Sequence, residues 1–440
     1  MKKGVKKLFF LLIAVFIPLQ AWAVEVERVI SPGGIEAWLV QDHANPVVSM
    51  RLAFRGGSEL DVPDKAGLAN LAASTMDEGA GDIGSQTFQQ ILADQSITLR
   101  FEAGYDRFGG QVKTLTENLD QSMDLLRLAL TQPRFDDEPV ARLKSQIIAG
   151  IRGDSERPVK LAYNAFYKTM FPGHGYARDS DGTLDSVQAI TQADLKAFVK
   201  TRLARANLVI GVVGDITPQR LSALLDQTFG ALPAHPSISR AQDATPNASG
   251  RVQVIDRAIP QSTIVFGHGG LKRSDPDYYT ALVMNHILGG GSFTSRLYEE
   301  IREKRGLAYS VGSGLYPMDH AGLIVGSAGT ENARVSEAID VIRAEWARMA
   351  AGKVSERELN DAKTYVTGAF PLTFTSTGAI ARVLVGMQLS DLGIDYLDKR
   401  NAYIGAVSLD DVKRVAAQYL RPGALDIVVV GKPAGIVPSP

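Results

Sequence analysis

"VVSMRLAFRGGSELDVPDKAGLANLAAS", residues 47–74, is the stretch that decides the fold. It runs from an apolar, β-branched strand through a Gly/Pro/Asp loop into a short helical pattern. "QSTIVFGHGGLKRSDPDYYTALVMNHILGGG", residues 261–291, repeats that order: strand, Gly-Gly, Asp-Pro loop, helix. Farther along, "ENLDQSMDLLRLALTQPRFDDEPVARLKSQIIAGI" (117–151) matches "ENARVSEAIDVIRAEWARMAAGKVSERELNDAKTYVTGAF" (331–370), each a helix pair around an acidic loop. "LKAFVKTRLARANLVIGVVGD" (195–215) matches "VKRVAAQYLRPGALDIVVVGK" (412–432), each a helix and an apolar strand ending on glycine. The offset stays near about 215 residues, too long for a solenoid and right for a duplicated domain. The fold expected is α+β: two duplicated domains, each a sheet with helices packed on one face.

Between the halves, "ALPAHPSISRAQDATPNASG" (231–250) is rich in Pro, Ala and Ser with little apolar periodicity, and reads as a linker. At the start, Lys2, Lys3, Lys6 and Lys7 precede the apolar run "LFFLLIAVFIPL" and the small-residue site "AWA". That is the pattern of a secretory signal peptide, with an apolar run too short to span a bilayer comfortably. The expected layout is therefore a signal peptide over 1–23, an N-terminal domain over 24–230, the linker over 231–250 and a C-terminal domain over 251–440. The expected destination is the periplasm, with no stable membrane anchor once the signal is cleaved.

Composition narrows the chemistry. The net charge is −1 and 45% of residues are hydrophobic, so sizeable cores are available and no charge excess points to nucleic acid. The absence of cysteine excludes disulfides, thiol chemistry and thiolate zinc sites. No two of the six histidines lie within five residues, and neither H-E-x-x-H nor H-x-x-E-H occurs. His235 lies in the linker, and His174, in the turn "FPGHGYARD", suits a structural hydrogen bond. "VGSG" (311–314) lacks the leading glycine of a nucleophile elbow, and "GGGS" (289–292) lacks the lysine and spacing of a P-loop.

Two stretches remain. "AGLANLAASTMDEG" (66–79) predicts a short helix on Leu68, Leu71, Ala72 and Met76, stopped at Gly79, with Asn70 and Ser74 on its other face. "GGGSFTSRLYEEIREKRGLAYSVGSGLY" (289–316) predicts a helix over "SRLYEEIREKR", capped by Ser292 or Thr294, ended by Gly306 and carrying a Glu300–Lys304 pair. Arg302 near that helix end and Tyr309 at the start of the next strand could face one concavity. Both are hydrogen-bond donors suited to a peptide carbonyl or an oxyanion. A charged surface helix followed by a core tyrosine fits the same spacing.

"SRLYEEIREKRGLAYSV" and "FPGHGYARDSDGTLDSVQAITQADLKAFVKTRLARANLVIGVVGD" (171–215), set in a duplicated α+β chain, resemble the insulinase/pitrilysin family of inverted-motif zinc peptidases. That group includes mitochondrial processing peptidase, and the resemblance spans nearly the whole mature chain. It implies a clamshell of two halves. It also implies a zinc site on H-x-x-E-H within a phrase like G-L-A-H-x-x-E-H, with a glutamate from a later helix. Here "GLANLAAS" places Asn70 at the first histidine, Ala73 at the glutamate and Ser74 at the second histidine, and Gly150 aligns with the third ligand. The expectation is that this chain holds no catalytic zinc and cleaves no peptide bond by itself.

Arg302 and Tyr309 do match the Arg and Tyr that contact substrate in family members. Some relatives divide the work between two chains, one with the zinc helix and one with the Arg–Tyr pair. The resemblance thus implies a non-catalytic, substrate-positioning subunit. Its partner would be a paralogue bearing H-x-x-E-H and the zinc, and its substrate a peptide or unfolded polypeptide. The alternatives are a structural scaffold or a metal-free periplasmic peptide-binding protein.

Overall fold

β-Branched and apolar residues on consecutive positions make the central strands, and these strands are buried on both faces rather than one. The structure, a computed structural model, describes residues 25–439; the expected signal peptide lies outside them. In the first half the strands are β1 (Glu27–Ile30), β2 (Glu36–Gln41), β3 (Val47–Arg55), a short ribbon of β4 (Gly79–Ala80) and β5 (Ile83–Gly84), β6 (Thr98–Ala103), β7 (Arg107–Leu115) and β8 (Leu208–Gly214). The second half has β9 (Val252–Asp256), β10 (Gln261–Gly269), β11 (Ala308–Pro317), β12 (Gly322–Glu331) and β13 (Asp426–Gly431). One sheet runs β1-β2-β8-β3-β7-β6, the other β9-β13-β10-β12-β11. Without β1 the two orders coincide, and so do the directions: one parallel pair at one edge, antiparallel pairs thereafter. The duplication read from sequence is thus repeated strand by strand.

The first-half α-helices are α1 (Leu68–Thr75), α2 (Ser85–Asp94), α3 (Leu119–Thr131), α4 (Asp137–Asp154), α5 (Pro158–Met170), α6 (Leu184–Ala189), α7 (Gln192–Arg202) and α8 (Pro218–Phe229). The second half carries α9 (Tyr278–Asn285), α10 (Val335–Ala350), α11 (Glu356–Gly368), α12 (Thr377–Leu389), α13 (Tyr396–Gly405) and α14 (Leu409–Tyr419). The helix read over 66–79 is shorter than expected. It ends at Thr75, and Gly79, with φ +104°, opens the ribbon instead of stopping the helix.

Helices cover both faces of each sheet, where the sequence predicts one. On one face they come from the same half. On the other they come from the opposite half: α5 lies on β10 and β13 of the second sheet, and α12 lies on β3 and β8 of the first. Phe166 and Met170 of α5 pack among Val265, Val428 and Val430, while Ala381 and Leu384 of α12 pack against Trp38 and Val213. A glycine sits under each crossing. A Cβ on Gly211 would come within 2.7 Å of Ala381 O, and one on Gly267 within 3.0 Å of the Phe166 ring. Polar contacts finish the α12 seat: Gln388 Nε2 donates to Ile210 O at 2.8 Å, and Arg55 donates to Leu389 O and Gln388 O at 2.6 and 2.9 Å. No single described helix is long and apolar enough to cross a membrane; the apolar face of α12 is spent on the first sheet.

Residues 231–250 form no helix or strand and are tied to both halves by backbone bonds, among them Ser237 N to Thr201 O and Ala244 N to His320 O. His174 holds its turn by accepting from Tyr176 N at 3.2 Å and reaching Gln242 O through Nε2 at 3.1 Å.

Phe166→Ala empties the centre of a contact shared by the halves and is expected to destabilise by about 3–5 kcal/mol. Trp38, in the first sheet, and Trp346, in α10, should report the same lowered denaturant midpoint in single-tryptophan variants. A shift confined to Trp346 would show that the halves unfold separately.

Candidate functional site

The N-terminus of α1 is fixed by a buried ion pair. Asp61 accepts from Ala69 N at 3.1 Å, as an acceptor should at a helix start, and pairs with Arg202 at 2.9 Å. Arg202 also donates to Gly57 O and Leu60 O, so one guanidinium holds the Gly-Gly turn and the helix together.

On α1, Ala73 is buried and Asn70 and Ser74 are half-buried. Ser74 Oγ donates back to Asn70 O at 2.9 Å, within its own helix. Asn70 Nδ2 donates to Asp181 Oδ1 at 3.2 Å. Asp181 in turn accepts from Lys160 Nζ at 2.8 Å, the same ammonium reaches Asp179 at 2.9 Å, and Asn164 donates to Asp179 at 2.6 Å. α4 packs on α1, and Gly150 lies exposed in its later part with open space around it.

These residues do not fit a zinc ion. Asn70 is committed to Asp181, Ser74 to its helix backbone, and Ala73 and Gly150 have no donor atoms. Among the described residues no group of three or more His, Cys, Asp or Glu could hold a metal. The carboxylate pair that Asn70 reaches, Asp179 and Asp181, already surrounds a lysine ammonium, whose charge it holds more firmly in the protonated state. The D-x-D in "ARDSDG" carried this signal in the sequence, but its partner Lys160 lies on another element.

The second candidate pair is brought together. Arg302 lies with its guanidinium carbon 5.1 Å from the centre of the Tyr309 ring. Neither Ser292 nor Thr294 caps the helix, contrary to expectation. Residues 292–294 make one tight turn, and Thr294 Oγ1 and Ser295 Oγ donate back to Gly291 O and Ser292 O. The helix begins after Ser295 and widens to π geometry over Tyr298–Glu303, with Lys304 N donating to Glu299 O at 2.9 Å, five residues back. The expected Glu300–Lys304 pair is present at 2.7 Å, and Arg305 reaches Glu300 at the five-residue spacing of the π turn. In this register Tyr298 and Ile301 face inward and Arg302 stands at the rim.

Tyr309 is at the surface, 83% exposed, and not in the core. The reason is a bulge. Ala308 pairs with Thr330 and Ser310 with Gly329, leaving Tyr309 unpaired on β11, the edge strand of its sheet. A bulge re-aims the side chain it carries. Two aromatic residues that spacing alone did not single out complete the cluster: Tyr298 and Phe293, whose ring centres lie 4.8 and 6.0 Å from the Arg302 guanidinium. The four-residue step from Tyr298 to Arg302 was the available signal. Among the described residues no carboxylate pairs with Arg302, because Glu299 and Glu300 are taken by Lys304 and Arg305.

A cavity of about 800 Å³ lies elsewhere, between the halves, and includes neither α1 nor the Arg302 cluster. Arg55, Glu59, Tyr105, Asp106, Arg273 and His320 are on its wall. The Tyr176 hydroxyl donates to Asp106 and accepts from His320 N, while Asp106 accepts from Asp319 N, a latch across the halves. Burial, opposed by the Gly57 N–H bond, pushes the Glu59 carboxyl up to about 8.

Comparison with known proteins supplies the relatives. Residues 37–183 match the family described as Insulinase (Peptidase family M16), and residues 189–366 match the Peptidase M16 inactive domain. An uncharacterized zinc protease of Streptomyces coelicolor is 30% identical over 320 residues, 70% of this chain and 68% of its own length. A non-peptidase homologue from Helicobacter pylori is 27% identical over 368 residues, 83% of this chain and 84% of its own. The crystal structure of a peptidase M16 inactive domain from Pseudomonas fluorescens superposes with a TM-score of 0.87 at 28% identity, covering 94% of this chain and 99% of that one.

Lys160→Met leaves Asp179 and Asp181 facing each other without a cation and is expected to destabilise by about 1–3 kcal/mol, with part of the loss recovered by adding Asp179→Asn. Thermal melts of the single and double variants measure it. Glu59 keeps a proton in the folded state that the unfolded chain has released above its ordinary value of 4.5. Its contribution to stability therefore falls as pH rises from about 4.5 to about 8. Glu59→Gln should melt like the wild type near pH 4.5 and progressively above it toward pH 8; parallel melting curves across that range would contradict the assignment.

Proposed function

Given that the chain belongs to the insulinase family of peptidases, family M16, we propose that it is a non-catalytic, substrate-positioning subunit of a heteromeric zinc metallopeptidase and lends Arg302 and Tyr309 to a partner's active site. The observation that carries this reading is a contrast within one chain. The helix that would hold zinc has no ligand, and the carboxylate that Asn70 reaches is filled by Lys160, whereas Arg302 and Tyr309 stand together at a sheet edge, the guanidinium without a carboxylate partner among the described residues.

The chemistry follows from the donors. A guanidinium and a phenol can both donate to a carbonyl oxygen, and neither can take a proton from water near neutral pH. Their use is to hold the scissile carbonyl and to stabilise the negative charge that gathers on its oxygen as the carbon becomes tetrahedral. β11 is the edge strand of its sheet, and an extended peptide or an unfolded segment can lie along it as an added strand. The partner is a paralogous chain that bears H-x-x-E-H and the zinc. The complex resides in the periplasm, in keeping with the signal-peptide pattern of residues 1–23.

Affinity purification from the native host should recover an H-x-x-E-H paralogue. In that complex Arg302→Ala should leave association intact and lower kcat/KM for a peptide substrate by about 10²–10³-fold. Unchanged turnover would overturn the role assigned to Arg302.

A further inference from the structure

One histidine in the second core has both ring nitrogens engaged. His268 follows Ile264 and Phe266 on β10 and is fully buried, edge-on to Trp346 of α10 with ring centres 5.9 Å apart. Trp346 Nε1 donates to His268 Nε2 at 2.8 Å, and Nδ1 lies 2.7 Å from Gly269 O. An indole N–H can only donate and a carbonyl can only accept, so the two neighbours fix the ring as neutral, with its proton on Nδ1. Arg421 N, in the turn before β13, is a further donor 3.4 Å from Nε2. A proton added at Nε2 would meet the Trp346 N–H head-on, on a ring with no exposed surface. The charged side chain that acts on the ring is Arg421, whose positive charge opposes a second one. Across the sheet the ring's neighbour is Ile324 of β12. Two carboxylates sit beside it along the packed elements, Glu345 next to Trp346 and Asp426 opposite Gly267. Both are engaged elsewhere, Glu345 with Arg348 and Asp426 with Ser249 N and Arg251. Burial accordingly pushes the imidazole below its ordinary value of 6.5.

We propose that His268 is a proton-operated latch: neutral, it holds the C-terminal part of α10 on β10 through Trp346, and acid releases that contact and loosens the segment that carries Arg302. A proton taken from solvent turns Nε2 from an acceptor into a donor. The Trp346 N–H then has no partner, and the charged ring needs water, so uptake goes with α10 moving off the strand. The movement has a path to the Arg302 segment. Four residues after Trp346 α10 ends, and the turn that follows is held by Arg296, which donates to Lys353 O and pairs with Glu358, each at 2.6 Å. Arg296 is buried and opens the helix that bears Arg302. The sign follows from the neutral folded ring. An unfolded histidine takes up its proton as pH falls through 6.5, the buried one only at lower pH. The latch is therefore fully set above about pH 6.5 and weakens as pH falls below it.

The test is denaturant unfolding of the purified full chain, followed by circular dichroism from about pH 7.5 to about pH 5, beside His268→Gln. A glutamine amide can accept from Trp346 and donate to Gly269 O but cannot take up a proton. Above about pH 6.5 the ratio of the two unfolding constants should stay fixed. Below it the wild type's constant should rise relative to the variant's by about tenfold per pH unit, because the unfolded chain binds one proton more. Glu59 and the other titrating groups are common to both chains and cancel in the ratio. Trp346→Phe removes the donor that needs the lone pair and should flatten the dependence. Backbone hydrogen exchange over 296–303, compared between wild type and His268→Gln at each pH, should accelerate with acid in the wild type alone. The ring is also read without any variant, by NMR of isotope-labelled histidine, and should stay neutral with Nδ1–H below pH 6.5 while the chain is folded. A fixed ratio of unfolding constants across the whole range, or a folded-state ring that titrates at its ordinary value, overturns the latch. Equal exchange over 296–303 in the two chains overturns its link to Arg302.

Discussion

Each half of this chain depends on a helix it does not encode. α5 seals the outer face of the second sheet, and α12 seals the outer face of the first. The central strands are apolar on both sides, so neither sheet could stand in water with its own helices alone. The two crossings are equivalent under the duplication, and each is permitted by a glycine in the strand beneath, Gly211 or Gly267. The halves are therefore joined by two apolar contacts and by the bonds from Asp319 N to Asp106 and from His320 N to the Tyr176 hydroxyl, and their relative placement is part of the fold.

That rigidity gives the two candidate sites different fates. On the first half, α1 keeps its position through Asp61 and Arg202, but the space a metal would need is organised around an ammonium. Two carboxylates and two carboxamides around Lys160 make a closed set of charge-assisted hydrogen bonds. The helix has been kept and its chemistry replaced by a structural network. On the second half, three departures from regular geometry lie side by side: a left-handed Ser292, a π turn over Tyr298–Glu303 and a bulge at Tyr309. Each is less stable than the regular alternative, and each moves a side chain toward Arg302 or leaves it in solvent.

The placement of part of the candidate site is legible in the sequence. The pairing of Arg302 with Tyr309 came from a seven-residue spacing and a family phrase, and the two side chains meet at 5.1 Å. The loss of ligands at Asn70, Ala73 and Ser74 is a matter of residue identity and needs no geometry to read. Lys160 was invisible in this role because its partners are 19 and 21 residues away on a loop. The cap expected at Ser292 or Thr294 fails because residues 292–294 make a tight turn of their own, in which the Thr294 hydroxyl is spent on Gly291 O and Ser292 accepts from the Ser295 hydroxyl. Phe293 gives no signal in the sequence, because an isolated aromatic after a glycine run looks the same whether it ends up buried or exposed.

The sequence by itself determined the α+β class, the duplication and the absence of zinc ligands on α1, since these rest on local pattern and on which atoms each residue carries. Only the tertiary structure decided which helix covers which sheet, that a lysine stands among the carboxylates beside Asn70, and that Arg302 is ringed by aromatics and has no carboxylate partner among the described residues. Those outcomes depend on contacts between segments far apart in the chain, where competing partners for the same apolar face or charge differ by little in local pattern. Packing chooses among them by burying the most apolar surface that leaves the fewest polar groups unsatisfied.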